Sequence, residues 1–236
     1  MLRIYAQKSA VGAKRYFDSE LLLGDYYSEG QEIAGRWGGM AAERLGLAGL
    51  VDREAFHRLC DNLHPATGEQ LTARMNESRR VAYDFNFNAP KKLSVLFALT
   101  QDDRILDAFR RSASETMAEL EREVACRVRD HGQFDERQTG NLVYAEFVHF
   151  TARPVDGVPD PSLHSHNVVF NATWDAEHEN RDGSRGMWKA IDIAGIKQEG
   201  RFWEACFHAR LAKRMGVGEA VILREAIDDV LRKYNA

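Results

Sequence analysis

Residues 141–171 read NLVYAEFVHFTARPVDGVPDPSLHSHNVVFN. Two apolar runs, Leu142–Phe150 and Leu163–Phe170, flank a segment holding Pro154, Gly157, Pro159 and Pro161. Strong β-formers bounded by Gly, Pro and Asp predict two strands joined by a loop. His149 closes the first run, and His164 and His166 open the second. Side chains alternate faces along a strand, so His164 and His166 point the same way with Ser165 opposite. If the runs pair as an antiparallel hairpin, His149 lands beside them. Three imidazoles then converge at one end of a sheet and leave coordination positions open, the arrangement of a catalytic rather than a closed structural metal site. A single strand histidine is usually a hydrogen-bonded core or surface residue; three at this spacing across one hairpin weigh more.

Outward from the hairpin, Val81–Asn88 (VAYDFNFN) alternates Tyr83, Phe85 and Phe87 against Asp84, Asn86 and Asn88. That predicts a half-buried strand whose polar face carries one carboxylate. Leu2–Ala6 reads as a first strand, and Met187–Ile191 as a further one. Ser9 is placed to cap a helix from Ala10 to about Leu23, stopped by Gly24, and Asp52 to cap another over Arg53–Leu63. Met40–Leu45 suggests a short helix, and residues 66–80 a polar surface loop. Asp102–Asp130 reads as the clearest helix, with Ile105, Leu106, Phe109, Ala113, Met117, Leu120, Val124 and Val128 in one stripe. Ala176–Gly186 reads as a polar turn, and Lys197–Met215 and Glu219–Tyr234 as closing helices. Strands at 2–6, 81–88, 142–150, 163–174 and 187–191 with helices between them make an α+β fold: a central, about five-stranded antiparallel or mixed sheet flanked by helices.

The 236 residues suffice for one domain with a sizeable core, and the 44% apolar and 29% charged content fits a soluble globular chain. A net charge of −4 excludes an overall basic, histone-like binder, so any nucleic-acid surface must be local. Cys60, Cys126 and Cys206 lack C-x-x-C spacing and fall on three predicted helices, which suggests buried free thiols in a reducing cytoplasm. No signal peptide precedes the first strand, no apolar run approaches a membrane span, and no G-x-x-x-x-G-K-[ST] loop is present.

A three-histidine site can polarise a phosphoryl or carbonyl oxygen, make a metal hydroxide or support redox chemistry. Asp84, on the polar face of a neighbouring strand, could hold a ligating imidazole by its other N–H. Tyr16 stands beside Lys14 and Arg15, a poor choice for a core but a reasonable nucleophile for a phosphodiester.

Together these features resemble the conjugative relaxases of the TrwC/TraI (MobF) type. That family opens with a strand and a helix ending in a tyrosine pair, then a second pair; here stand Arg15-Tyr16-Phe17 and Asp25-Tyr26-Tyr27. Its Trp-Gly motif and Gly-Ala-Glu-x-Leu-Gly-Leu-like run match Arg36-Trp37-Gly38-Gly39 and Ala42-Glu43-Arg44-Leu45-Gly46-Leu47. Its Tyr-Asp-hydrophobic-Thr-Phe-Ser-Ala-Pro-Lys stretch matches Tyr83-Asp84-Phe85-Asn86-Phe87-Asn88-Ala89-Pro90-Lys91, and its histidine hairpin matches residues 139–143, His149 and Leu163-His164-Ser165-His166. The motifs keep their order from Met1 to about Met215.

The resemblance implies a DNA strand transferase of the HUH endonuclease group, nicking and rejoining one strand at an origin of transfer. Tyr16 would attack the phosphodiester to give a 5′-phosphotyrosine and a free 3′-hydroxyl. His149, His164 and His166 would hold a divalent metal, magnesium or manganese in function and zinc or nickel after purification. Asp84 would orient a histidine and take the tyrosine proton. Tyr26 or Tyr27 would serve a second strand transfer, and Lys14, Arg15, Lys91 and Arg153 would contact DNA. Partners would be single-stranded DNA at the nick site, accessory relaxosome proteins and a coupling protein. Phe17 departs from the family's first tyrosine pair, leaving Tyr16 as the sole candidate there. The chain stops short of the expected length of a relaxase domain, as a compact member or a fragment would, with no helicase domain. Rival readings are an HUH replication-initiator nickase, a non-catalytic metal-containing single-stranded-DNA-binding module, and a metal-dependent hydrolase using bound water.

Overall fold

The computed structural model describes residues 2–21, 34–73, 79–130, 133–152 and 159–216. Its centre is a five-stranded antiparallel sheet. The strands are β1 (Arg3–Gln7), β2 (Arg36–Gly38), β3 (Ala82–Asn88), β6 (Tyr144–Thr151) and β7 (Pro161–Phe170), in the order β1-β3-β7-β6-β2. The histidine hairpin is present: β6 and β7 pair with His149 opposite His164 and Phe147 opposite His166. A register shift follows His149, so the regular ladder ends just past the histidines.

The helices are α1 (Ala10–Tyr16), α2 (Met40–Arg44), α3 (Arg53–Cys60), α4 (Lys91–Thr100), α5 (Asp103–Arg122), α6 (Ala194–Gln198) and α7 (Gly200–Met215). One face of the sheet buries Tyr83, Phe85, Phe87, Val148, Leu163 and Val169 with the apolar sides of α4, α5 and α7. The opposite face is divided along the strands. Its lower half buries Ala82, Ala145, Phe147, Val168 and Phe170 with Ala13, Phe17, Phe56 and Leu59. Its upper half carries the histidines, Asp84 and two asparagines. β3 is therefore buried on both faces and not half-buried as its alternation suggests, because it lies between β1 and β7 with helices above and below.

The caps at Ser9 and Asp52 form as expected, each side chain accepting an N–H three residues on. α1 gives way to a π-type turn over Phe17–Leu21; its predicted end at Gly24, and the helix predicted at 219–234, lie outside the described residues. At the other end of the sheet, Gly39 has φ +92°, and a Cβ there would meet the Leu142 carbonyl oxygen at 2.2 Å. The buried Glu121 carboxylate accepts both the Met40 and Leu142 N–H groups beside it.

Further expectations change. The long helix stops at Arg122, and β4 (Ala125–Asp130) and β5 (Gln133–Gln138) form a hairpin. Val124, Cys126 and Val128 alternate with exposed Arg127 and Arg129, a period of two that the helical stripe had absorbed. Cys126 accordingly sits on a strand. The fifth strand of the main sheet is β2, while β9 (Arg185–Lys189) pairs with β8 (Thr173–Glu179) in a separate ribbon that occupies much of the expected polar turn, and β10 (Ile191–Asp192) joins β4. The helix expected at 197–215 is broken between α6 and α7 at Glu199. The loop expected at 66–80 is partly interior: Leu71 and Thr72 are buried.

Candidate active site

The register of the central strands lays the polar residues out as a grid. Asn88 pairs with His164, and His164 with His149; Asn86 pairs with His166. Asp84 lies one step further down β3 on the same face. The ring centres of His149, His164 and His166 are 5.1–5.4 Å apart.

Hydrogen bonds decide the imidazole tautomers. His164 Nδ1 lies 2.8 Å from the Ser162 carbonyl oxygen, which can only accept, so Nδ1 carries the proton. His166 Nδ1 lies 2.7 Å from Asp84 Oδ2 and donates to it. Both rings thereby keep the Nε2 lone pair for a metal, each oriented by an oxygen behind it. His149 Nε2 is buried and has no hydrogen-bond partner. Burial first, and then its two imidazole neighbours, push the His149 pKa down to about 3, so the ring is neutral near pH 7.

These features fit a metal ion. Three imidazoles around one tetrahedral ion at about 2.1 Å would hold their ring centres roughly 5 Å apart. The donors themselves are not closed up: no group of three His, Cys, Asp or Glu among the described residues has ligating geometry. The His149 and His164 rings are stacked at 25°, and lone pairs in nearly parallel ring planes do not meet at a nearby point. Convergence of all three on one ion requires rotation about the soft Cβ–Cγ torsion of at least one histidine.

Tyr16, the last residue of α1, places its hydroxyl 3.2 Å from Asp84 Oδ2 and 3.1 Å from His166 Nδ1. With Nδ1 protonated, the phenol donates to Asp84, whose Oδ2 then accepts two hydrogen bonds. Asp84 Oδ1 is buried with no partner, so the carboxylate keeps acceptor capacity beside the phenol. The next residue explains how the hydroxyl is held. Phe17 is buried, stacks on Phe56 with ring centres 4.0 Å apart and meets Phe147 edge-on. A tyrosine at position 17 would have to bury its hydroxyl in that apolar cluster, which accounts for phenylalanine there.

The expected DNA contacts fare differently. Lys14 donates to Asp61, the residue that ends α3, at 2.5 Å, which ties α1 down. Arg15 is exposed beside Tyr16. Lys91, at the start of α4, is exposed and pairs with Asp160 and the Pro161 carbonyl at the rim of the histidine end. Tyr26, Tyr27 and Arg153 lie outside the described residues. Three groups at the site had no role assigned from sequence. Asn86 and Asn88 shared the polar alternation of Asp84, and that was their signal. The Ser162 carbonyl is backbone and leaves none.

The family model described as TrwC relaxase matches residues 7–226. The multifunctional conjugation protein TraI of Escherichia coli is 35% identical over 202 residues, 85% of this chain and 10% of that protein. The chain thus spans about a tenth of the length of the curated relatives it matches. A metal-bound structure of the conjugative relaxase TrwC in complex with oriT DNA superposes with a TM-score of 0.72 at 29% identity, covering 92% of this chain and 70% of that one. TrwC complexed with a 27-mer DNA comprising the recognition hairpin and the cleavage site gives a TM-score of 0.70 at 27% identity, covering 92% and 69%.

Proposed function

The chain belongs to the TrwC relaxase family, and on that premise we propose that it nicks and rejoins one DNA strand at an origin of transfer through a phosphotyrosine intermediate. The observation that carries the reading is the Tyr16 hydroxyl within 3.2 Å of both Asp84 Oδ2 and His166 Nδ1. Tyr16 Oη bonds to phosphorus and the bond from phosphorus to the 3′ oxygen breaks. The phenolic proton passes to Asp84. The departing 3′ oxygen takes a proton from solvent, which Asp84 later returns. Phosphoester exchange conserves the bond, so a 3′-hydroxyl can reverse the step.

An unperturbed phenol has a pKa near 10, so a carboxylate at hydrogen-bond distance is needed near pH 7. His149, His164 and His166 would hold a divalent cation, which supplies positive charge against the non-bridging oxygens of the scissile phosphate. His166 couples the two halves of the site, since one ring can face both the cation and Asp84. The cation would be magnesium or manganese in the cell; imidazole sites retain zinc or nickel more tightly on purification. Arg15 and Lys91 would meet DNA phosphates, with Lys91 first released from Asp160, while Lys14 serves α1 through Asp61. Tyr26 or Tyr27 would serve a second transfer, and Arg153 would add a phosphate contact. Accessory relaxosome proteins and a coupling protein would be its partners in a reducing cytoplasm. The resemblance supports these partners, and the free cysteines suit that compartment.

The test is covalent attachment to a labelled single-stranded oligonucleotide carrying the cognate origin, in the presence of manganese. An adduct that survives denaturation and maps to Tyr16 is expected. Cleavage without any adduct would mean a water-using hydrolase.

A further inference from the structure

We propose that the Asn86 side-chain amide is a hydrogen-bond donor to a non-bridging oxygen of the scissile phosphodiester, a catalytic contact in addition to the tyrosine, the carboxylate and the histidines. The inference rests on the strand-transfer reading above.

Asn86 is nine-tenths buried, and its amide has a defined direction. Its Oδ1 accepts from Asn88 Nδ2 at 2.6 Å, which turns its Nδ2 toward His166. There Nδ2 lies 3.2 Å from His166 Nδ1 and 3.5 Å from Nε2. Neither nitrogen is a usable acceptor in the working site. Nδ1 carries the proton given to Asp84, and the Nε2 lone pair faces the cation position. The ring nitrogens the amide faces therefore cannot accept from it once His166 donates to Asp84 and turns Nε2 to a cation. An unmatched donor nearly out of solvent costs free energy unless a ligand supplies the acceptor.

The location says which acceptor. Tyr16 Oη and Asn86 Nδ2 flank the same His166 nitrogen and are at most about 6 Å apart. A phosphorus atom poised for attack sits roughly 3–3.5 Å from the nucleophile. A phosphate lying between the two groups would bring a non-bridging oxygen within hydrogen-bond reach of Asn86, on the β3 side of His166, while His149 and His164 occupy the β6 and β7 side. Charge builds on those oxygens in the transition state, and a donor fixed in advance stabilises it there.

The test begins by letting the unaltered chain capture its own substrate. A random pool of labelled single-stranded DNA is offered with manganese, and covalently retained oligonucleotides are sequenced. The selected oligonucleotide is then used for single-turnover adduct formation with the wild type, Asn86→Ala and Asn88→Ala. Manganese affinity by calorimetry and oligonucleotide affinity are measured alongside. Asn86→Ala should form adduct about 100-fold more slowly, the scale seen when one oxyanion donor is removed. Its metal and DNA affinities should stay within about threefold. Asn88→Ala, which frees the amide to turn, should show a smaller loss in the same direction. Sulfur replacing one non-bridging oxygen should slow the wild type for one diastereomer and slow both variants less for that diastereomer. If Asn86→Ala does not fold, Asn88→Ala and the diastereomer comparison decide.

Wild-type adduct rates in Asn86→Ala would overturn the proposal and leave the strand-transfer reading intact. A slower rate matched by an equal loss of manganese affinity would make Asn86 a support for His166 and also overturn it. Failure of the wild type to capture any oligonucleotide would remove both.

Discussion

In the proposed strand transfer, Tyr16 is the residue at which a nucleophile can be told from a scaffold. Its hydroxyl is one neutral group beside a phosphate-dominated interface, so Tyr16→Phe should abolish the covalent adduct and leave oligonucleotide affinity within about threefold. Asp84→Asn keeps an acceptor for His166 Nδ1–H but accepts the phenolic proton poorly. It should slow adduct formation by about 10²–10³-fold in single-turnover kinetics. His149 gives a test in metal-free protein. Its pKa falls from 6.5 in the unfolded chain to about 3 in the folded one, so the unfolded state binds the proton first. The stability present above pH 6.5 should drain away as pH falls toward 3. At pH 4 the loss due to this residue is about 3 kcal/mol. Denaturant titrations at pH 7 and pH 4 in a chelator, compared with His149→Leu, read it directly; an equal loss in the variant would show that His149 titrates normally. These residues were legible in sequence because strand alternation fixes a face and the hairpin fixes a register. The Asn86 orientation was not, since it depends on a bond to Asn88 across two positions of one strand.

Elements are joined by a less visible group. Glu121, at the end of α5, accepts backbone N–H groups from Met40 at the start of α2 and Leu142 just before β6. Burial holds its carboxyl above the usual range despite both bonds. Glu121→Gln retains the accepting oxygen and removes the buried charge, so it should change stability by less than about 1 kcal/mol. Glu121→Ala leaves two N–H groups without a partner and should cost about 1–3 kcal/mol. Thermal or denaturant unfolding of the pair checks the difference; equal losses would show that the carboxylate charge and not its oxygen holds the joint. The same helix marks where sequence reading failed. Val124 stands four residues after Leu120 and two before Cys126, so it fits a helical stripe and a strand alternation equally. The chain turns at Glu123, where no Gly or Pro marks the end. β2 was missed because it has only three residues at the sheet edge and owes its strand state to β6.

Across the whole molecule, a formal charge of −4 limits how DNA can be held. Affinity must come from a small number of local cations, and log affinity should fall against log salt by about 0.7 for each phosphate contacted. Fluorescence anisotropy over a salt series gives the slope; a flat response would rule out phosphate-led binding. The fold class was readable because the apolar faces of five strands and the helices over them are written as periodicities of two and 3.6. Of the small ribbons only β9 showed, as the strand expected at Met187–Ile191, and it pairs with β8 and not with the main sheet; β4, β5 and most of β8 did not show, because charged side chains such as Arg127, Arg129 and Glu177 interrupt their apolar signal. In the proposed strand transfer, the residue after Tyr16 would set the timing. Phe17 occupies the place of a second tyrosine and is locked between Phe56 and Phe147, so α1 contributes one hydroxyl and can carry one strand end at a time. A second strand arriving at α1 must queue. A pre-steady-state burst from this helix should therefore saturate at one equivalent per chain, and its decay should keep pace with religation or hand-over of the first end.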